Sequence, residues 1–183
     1  MRHTSTAVLL ILLAPALGVA PAGAVELETG DVLVVEGDGS GAVFQVDPIT
    51  GTLTPLNAGD PVGGWDAWGI AFDPVHHVVY KGDEQLGWIT QLDPATGAEA
   101  LISKHGFVPV GSGPVLASAD DTVVEPDGTI VVVDNTGDLV MFDDPSASLL
   151  RVDRTSGDRS VIASDTVGSG PSLDSSFRIG IAV

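Results

Sequence analysis

Val43-Phe44-Gln45-Val46-Asp47-Pro48-Ile49-Thr50-Gly51 recurs as Ile89-Thr90-Gln91-Leu92-Asp93-Pro94-Ala95-Thr96-Gly97 and again as Leu149-Leu150-Arg151-Val152-Asp153-Arg154-Thr155-Ser156-Gly157. The aspartates stand 46 and then 60 positions apart. Ahead of each, an apolar residue (Val46, Leu92, Val152) follows a polar one (Gln45, Gln91, Arg151), with another apolar residue at Val43, Ile89 or Leu149. That alternation belongs to a half-buried strand. The Asp-Pro-x-Thr-Gly that follows has the chemistry of a tight turn. The carboxylate can accept from backbone N–H groups two residues on, proline presets φ, and glycine takes the positive φ that closes the turn. Extended apolar stretches resume at Pro55-Leu56, Leu101-Ile102 and Val161-Ile162, so each copy reads as a hairpin.

A second motif precedes the first. Gly69-Ile70-Ala71-Phe72-Asp73-Pro74 leads into Val78-Val79-Tyr80, and Thr122-Val123-Val124-Glu125-Pro126-Asp127-Gly128 leads into Ile130-Val131-Val132-Val133. Gly180-Ile181-Ala182-Val183 repeats the opening of the first of these. The apolar runs Val32 to Val35 and Ile130 to Val133 read as strands buried on both faces. A unit is therefore four short antiparallel strands, the size of a propeller blade. The third unit carries eight extra residues between its second and third strands, which places a longer hairpin loop at 138 to 148. Gly111-Ser112-Gly113-Pro114 recurs as Gly168-Ser169-Gly170-Pro171, so the crossings between units are glycine-rich.

These residues resemble the NHL and gluconolactonase-like (senescence-marker-protein-like) β-propeller repeats of exported bacterial proteins. The match is carried by Glu125-Pro126-Asp127-Gly128, Arg151-Val152-Asp153, Gly157-Asp158-Arg159 and Gly168-Ser169-Gly170-Pro171, and it extends over nearly all of residues 31 to 183. The resemblance implies an all-β fold of four-stranded blades belonging to a ring of about six. The pieces at 31–56, 69–103, 121–163 and 179–183 amount to about three blades, an incomplete propeller. An arc of three exposes its flanking sheets, so the expectations are a piece of a longer ring or a homodimer in which two copies complete one. The family's metal site, a Glu opening one inner strand with Asn and Asp from others, has no residue here onto which it can be carried.

Composition bounds the partners. The 183 residues hold 25 acids against 7 bases, a net charge of −18, and no cysteine, so thiol chemistry and disulfides are excluded. A phosphate backbone would be repelled by such a surface, which argues against nucleic acid. Arg2 and His3, the apolar run from Ala7 to Val19 and the small residues Ala22-Gly23-Ala24 have the layout of a secretory signal peptide over residues 1–24. The apolar run is shorter than the ~20 residues that span a bilayer. The expected mature chain, residues 25–183, is thus a secreted or periplasmic protein with no membrane span, carrying 25 acids and 6 bases.

Two constellations are candidates for binding. Trp65-Asp66-Ala67-Trp68 precedes an inner strand, at one mouth of the channel of a propeller. Trp65, Asp66 and Trp68 could hold a sugar or a flat apolar ligand by stacking and hydrogen bonding; alternatively both indoles pack between blades. Glu36, Asp38, Ser40 and Asp47 fall at offsets 1, 3, 5 and 12 of a calcium loop, with Gly41 at offset 6. Strands flank that segment instead of helices, and a plain hairpin turn accounts for it equally. No Ser-His-acid order or G-x-S-x-G elbow occurs. The chain reads as a binding or scaffold module for a small molecule, glycan or protein. The alternative is a fragment of a metal-dependent lactone or ester hydrolase.

Overall fold

A computed structural model of the chain describes residues 25–37, 40–57, 66–135, 147–164 and 166–169. Every regular element among them is a strand. The first sheet contains β1 (Val32–Val35), β2 (Val43–Val46) and β3 (Leu53–Pro55). The second is β4 (Ala67–Asp73), β5 (Val78–Asp83), β6 (Trp88–Asp93) and β7 (Ala98–Lys104), and the third is β8 (Ala119–Val124), β9 (Ile130–Asn135), β10 (Ala147–Val152) and β11 (Arg159–Ala163). Each is an antiparallel meander in chain order. The fold is all-β, with successive propeller blades amounting to part of a ring. The inner edges β4 and β8 lie against one another, and β1 lies beside β4.

The repeated turns form as local chemistry dictates. Asp47 accepts the N–H of Ile49 at 2.8 Å, Asp93 that of Ala95 at 2.9 Å, and Asp153 those of Thr155 and Ser156, both at 2.8 Å. Gly51, Gly97 and Gly157 close the turns at φ of 71°, 71° and 74°. With the turns set, the strand alternation decides what each face meets. Val79 and Leu92 of the second sheet point to the first, joining Leu27, Val43 and Leu56. Val78, Tyr80 and Ile89 point to the third, joining Leu116, Ala119, Ile130, Val132, Leu150 and Val152. The middle sheet is therefore covered on both sides, and β5 is buried along its whole length.

The first strand departs from expectation. Ile130 to Val133 are buried throughout, but Val32 and Val34 keep 43% and 45% of their surface exposed. Leu33 and Val35 pack toward the second sheet. No described sheet lies on the other side, so an apolar run identical in kind to β9 has only one covered face. The longer hairpin loop foreseen at 138 to 148 lies outside the described residues up to 146, as do Gly170, Pro171 and the strand-like piece 179–183.

Buried polar groups pin the two seams between sheets. At the first, Lys81 Nζ donates to Glu99 Oε1 at 2.9 Å and to the Gly41 carbonyl at 3.0 Å, with both side chains essentially out of solvent. Asn57 Nδ2 donates to the same Glu99 oxygen, while its Oδ1 accepts from Val43 N at 2.7 Å. At the second seam, Arg159 donates from Nε to the Pro114 carbonyl at 2.8 Å and from Nη1 to Ser103 Oγ at 2.6 Å and the Val110 carbonyl at 3.1 Å. Ser103 Oγ donates in turn to the Gly157 carbonyl at 2.8 Å.

Candidate ligand site at the loop end of the inner strands

The start of β4, the start of β8 and the turns following β1 and β5 share one end of the blades. Asp66 opens β4. Its backbone N–H donates to Asp83 Oδ2 at 3.3 Å, and its carbonyl accepts from Glu84 N at 3.0 Å. Its own carboxylate accepts from Gln85 Nε2 at 2.9 Å. The Asp66 side chain is thus fixed by the β5–β6 turn. Two residues on, Trp68 keeps 45% of its surface exposed, an unusual placement for an indole within a strand. Gly37, in the turn after β1, faces both: a Cβ there would lie 3.6 Å from Asp66 Oδ1 and 4.0 Å from Trp68 Nε1. Trp65 lies outside the described residues.

The neighbouring blade presents a second group at the same end, since Gly69 of β4 packs on Asp121 and Thr122 of β8. Asp134, at the end of β9, accepts the N–H groups of Ala117 and Ser118 at 3.0 and 2.9 Å and so holds the chain entering β8. Burial pushes its carboxyl up to about 6; the two amides pull it down, and the charge of Asp120 adds to the rise. Asp120 accepts from Ser118 Oγ and from Asn135 Nδ2, the latter at 3.0 Å. The other amide atom, Asn135 Oδ1, is buried without a hydrogen-bond partner. Two carboxylates and an orphaned amide oxygen are hard donors suited to a divalent cation. Among the described residues no three His, Asp or Glu side chains converge as a ready-made cage.

Asp83, Asp120, Asp134 and Asn135 are not singled out by motif, yet the repeat contains their signal. Val32, Val79 and Ile130 oppose Val46, Leu92 and Val152, each the residue before a turn aspartate. Four positions later stand Glu36, Asp83 and Asp134. Glu36 is therefore the first blade's corner acid. Its Oε2 accepts from Ser40 Oγ at 2.8 Å. Asp47 sits at the far end of β2, ~17 Å away at the usual rise per residue. There its carboxylate serves the turn, accepting from Thr50 Oγ1 at 2.6 Å as well as from Ile49 N. That hydroxyl first, and then the Ile49 and Thr50 amides, hold its carboxyl below the usual range. Of the four calcium-loop candidates, then, Glu36 and Ser40 come together, Asp47 stands apart, and Asp38 lies outside the described residues.

At the opposite end, Asp73 is fully buried and its Oδ2 lies 2.7 Å from His76 Nδ1. Burial pushes the Asp73 carboxyl up, but the His76 ring and the His76 and Val75 amides outweigh it and leave it below its ordinary value. The imidazole also rests on Gly128, whose Cβ would come within 2.9 Å of the ring. His76 is thereby accounted for as a contact between two blades, although it lines a cleft of about 570 Å³ with His77, Gln91 and Asp93.

No family model matches the chain, and no curated protein does. Solved structures match in fold. The nidogen/laminin complex aligns at 16% identity and a TM-score of 0.50, over 69% of this chain and 41% of that one. Virginiamycin B lyase from Staphylococcus aureus aligns at 16% identity and a TM-score of 0.50, over 84% and 44%. A protein of unknown function from Bacteroides thetaiotaomicron aligns at 14% identity and 0.53, over 73% and 30%. These are matches to β-propellers, and this chain spans less than half the length of each.

Proposed function

We propose that the chain is an exported binding module whose ligand, a glycan or a flat small molecule, sits at the loop end of the inner strands. One observation carries the reading. Trp68 keeps 45% of its surface exposed close to Asp66, a carboxylate held in place by Gln85 and the β5–β6 turn. An aromatic face with a fixed acceptor next to it suits a sugar ring, by stacking plus hydrogen bonding. Tryptophan fluorescence titration of the mature protein against a panel of soluble glycans and aromatic small molecules tests it. Trp68→Ala and Asp66→Asn should each weaken the binding at least tenfold while leaving the circular dichroism spectrum unchanged. Undiminished affinity in both variants, or no ligand in the panel, would sink the reading. Export rests on the Ala22-Gly23-Ala24 site, and mass spectrometry of the extracellular or periplasmic protein should find Val25 at the N-terminus.

The second reading, a metal-dependent lactone or ester hydrolase of the gluconolactonase-like kind, is favoured by the orphaned Oδ1 of Asn135, whose amide nitrogen donates to Asp120. Asn135 Oδ1 and the Asp120 carboxylate would be the hard donors offered to a divalent cation, whose chemistry when bound is to polarise a substrate carbonyl. Lactone hydrolysis in the presence of calcium or zinc, abolished by Asp120→Asn, would favour this reading over pure binding.

A further inference from the structure

We propose that the cleft at the turn end of the second sheet binds a small organic cation, an ammonium group carried on an alkyl or aryl body. The cleft encloses about 570 Å³ between the chain entering the first sheet and the β4–β5 and β6–β7 turns, at the far end of the blades from Trp68. A volume of that order suits a small-molecule ligand.

The chemistry of the lining selects the ligand class. Its buried part is apolar, formed by Leu27, Val78 and Pro94. The charged groups around it are all carboxylates: Glu26 is exposed on one wall, Asp93 is half-buried on another, and no lysine or arginine joins them among the described residues. Asp93 uses one acceptor position per oxygen on its own turn, for Ala95 N at 2.9 Å and Thr96 Oγ1 at 2.8 Å, and a carboxylate offers about four. An anion is repelled by such walls. A bare metal ion is poorly served too, since no three His, Asp or Glu side chains converge among the described residues. The fitting ligand donates hydrogen bonds and carries positive charge at one end, with apolar surface at the other.

Two histidines on the β4–β5 turn add acceptors, and each is placed by a separate device. The buried Asp73 carboxylate, held below its ordinary value, is ionised at neutral pH, so His76 Nδ1 carries the proton of their 2.7 Å contact. In the neutral ring that leaves the lone pair on Nε2, which has no hydrogen-bond partner among the described residues. His77 stands at φ 52°, the one non-glycine residue with positive φ among those described. Phe72 and Val124 hold equivalent register positions, opposing Val79 and Ile130, so His77 falls where the third sheet has Gly128 at φ 85°. An imidazole kept in a conformation that favours glycine is locally strained, and such strain collects at ligand sites.

The test titrates the mature protein at neutral pH with n-hexylamine, read by calorimetry and by NMR of the histidine rings. Hexylamine should bind one to one and shift the His76 and His77 signals, a readout that separates this cleft from ligand binding at Trp68. Hexanoate, the same chain with the opposite charge, should bind at least tenfold more weakly. N-acetyl-lysinamide serves as the second probe: tighter binding than hexylamine marks the side chain of a basic peptide as the ligand, and weaker binding marks a free amine. Glu26→Gln and His77→Gly should each weaken hexylamine about tenfold, the worth of one charge-assisted hydrogen bond. His77→Gly should also leave the melting temperature level or raised, because the strain leaves with the side chain. No binding at millimolar amine, equal affinity for hexanoate, binding that leaves both histidine signals unmoved, or undiminished affinity in both variants would each overturn the proposal.

Discussion

Replacing Glu99 by alanine would leave Lys81 as a buried ammonium deprived of the carboxylate that it meets at 2.9 Å, with the Gly41 carbonyl still accepting from it. At 2.9 Å the attraction between the two charges is about 6 kcal/mol with an effective dielectric of about 20. Most of that offsets the desolvation of the pair, so the net worth of the pair is small while the cost of breaking it is not. Loss of one partner of a buried pair is worth roughly 3–5 kcal/mol. Against a total stability of ~5–15 kcal/mol, that is a large fraction. The Lys81→Met, Glu99→Leu double variant removes both charges, while Asn57 Nδ2 still donates to the Gly41 carbonyl at 3.4 Å, so less is left unsatisfied than in the single variant. Urea unfolding followed by tryptophan fluorescence, run as a double-mutant cycle, should therefore show Glu99→Ala as the more damaging change and a coupling of at least ~2 kcal/mol between the two positions. A Glu99→Ala loss under ~1 kcal/mol, or additive single effects, would refute the idea that this seam is dry.

Asp134 titrates at about 6 in the folded chain and near 3.8 when unfolded, so the folded state holds its proton more tightly. Its contribution to stability is full below about 3.8 and is lost as pH rises through about 6, a change of about 3 kcal/mol. Asp134→Asn keeps an acceptor for the Ala117 and Ser118 amides, so its urea midpoint should be flatter across pH 4 to 7; parallel curves for variant and parent would contradict this. Gly157→Ala forces a side chain into a positive-φ position and against the Ile102 carbonyl, and should cost ~2–5 kcal/mol by thermal or urea unfolding. With 25 acids against 6 bases in residues 25–183, the melting temperature should rise with added sodium chloride as repulsion is screened, and an indifferent melting temperature would remove the repulsion argument.

The blades are legible in the sequence because their turns are local. Asp47, Asp93 and Asp153 bind amides two or three residues away, and no distant partner is needed to predict it. What escapes is whatever depends on a partner far along the chain. Lys81 and Glu99 lie on different strands and meet over Gly41 and Asn57 of another sheet, and nothing about a lone lysine in an apolar strand announces that. Asp83 and Asp134 look like solvated residues at the ends of strands until the repeat is aligned by register. Val32 and Val34 fail for a related reason: apolar character says that a face can be covered, and only the neighbouring sheet decides whether it is. At the candidate site, the Trp-Asp-Ala-Trp stretch is visible as composition, but the fixing of Asp66 by Gln85 comes from the β5–β6 turn.

The two seams are built on the same backbone plan yet locked by different cations, and this gives the chain a way to sort its own parts. Lys81 meets a carboxylate and the Gly41 carbonyl; Arg159 meets the carbonyls of Pro114, Val110 and Lys104 and a hydroxyl. A branched guanidinium presented to the first socket would have donors left over, and an ammonium presented to the second would leave acceptors empty. Blades similar enough to be shuffled during folding are thereby made unequal at the moment of docking. Docking against the wrong neighbour would leave a buried cation or its acceptors unmatched, so each seam carries a polar key of its own as well as a shared shape.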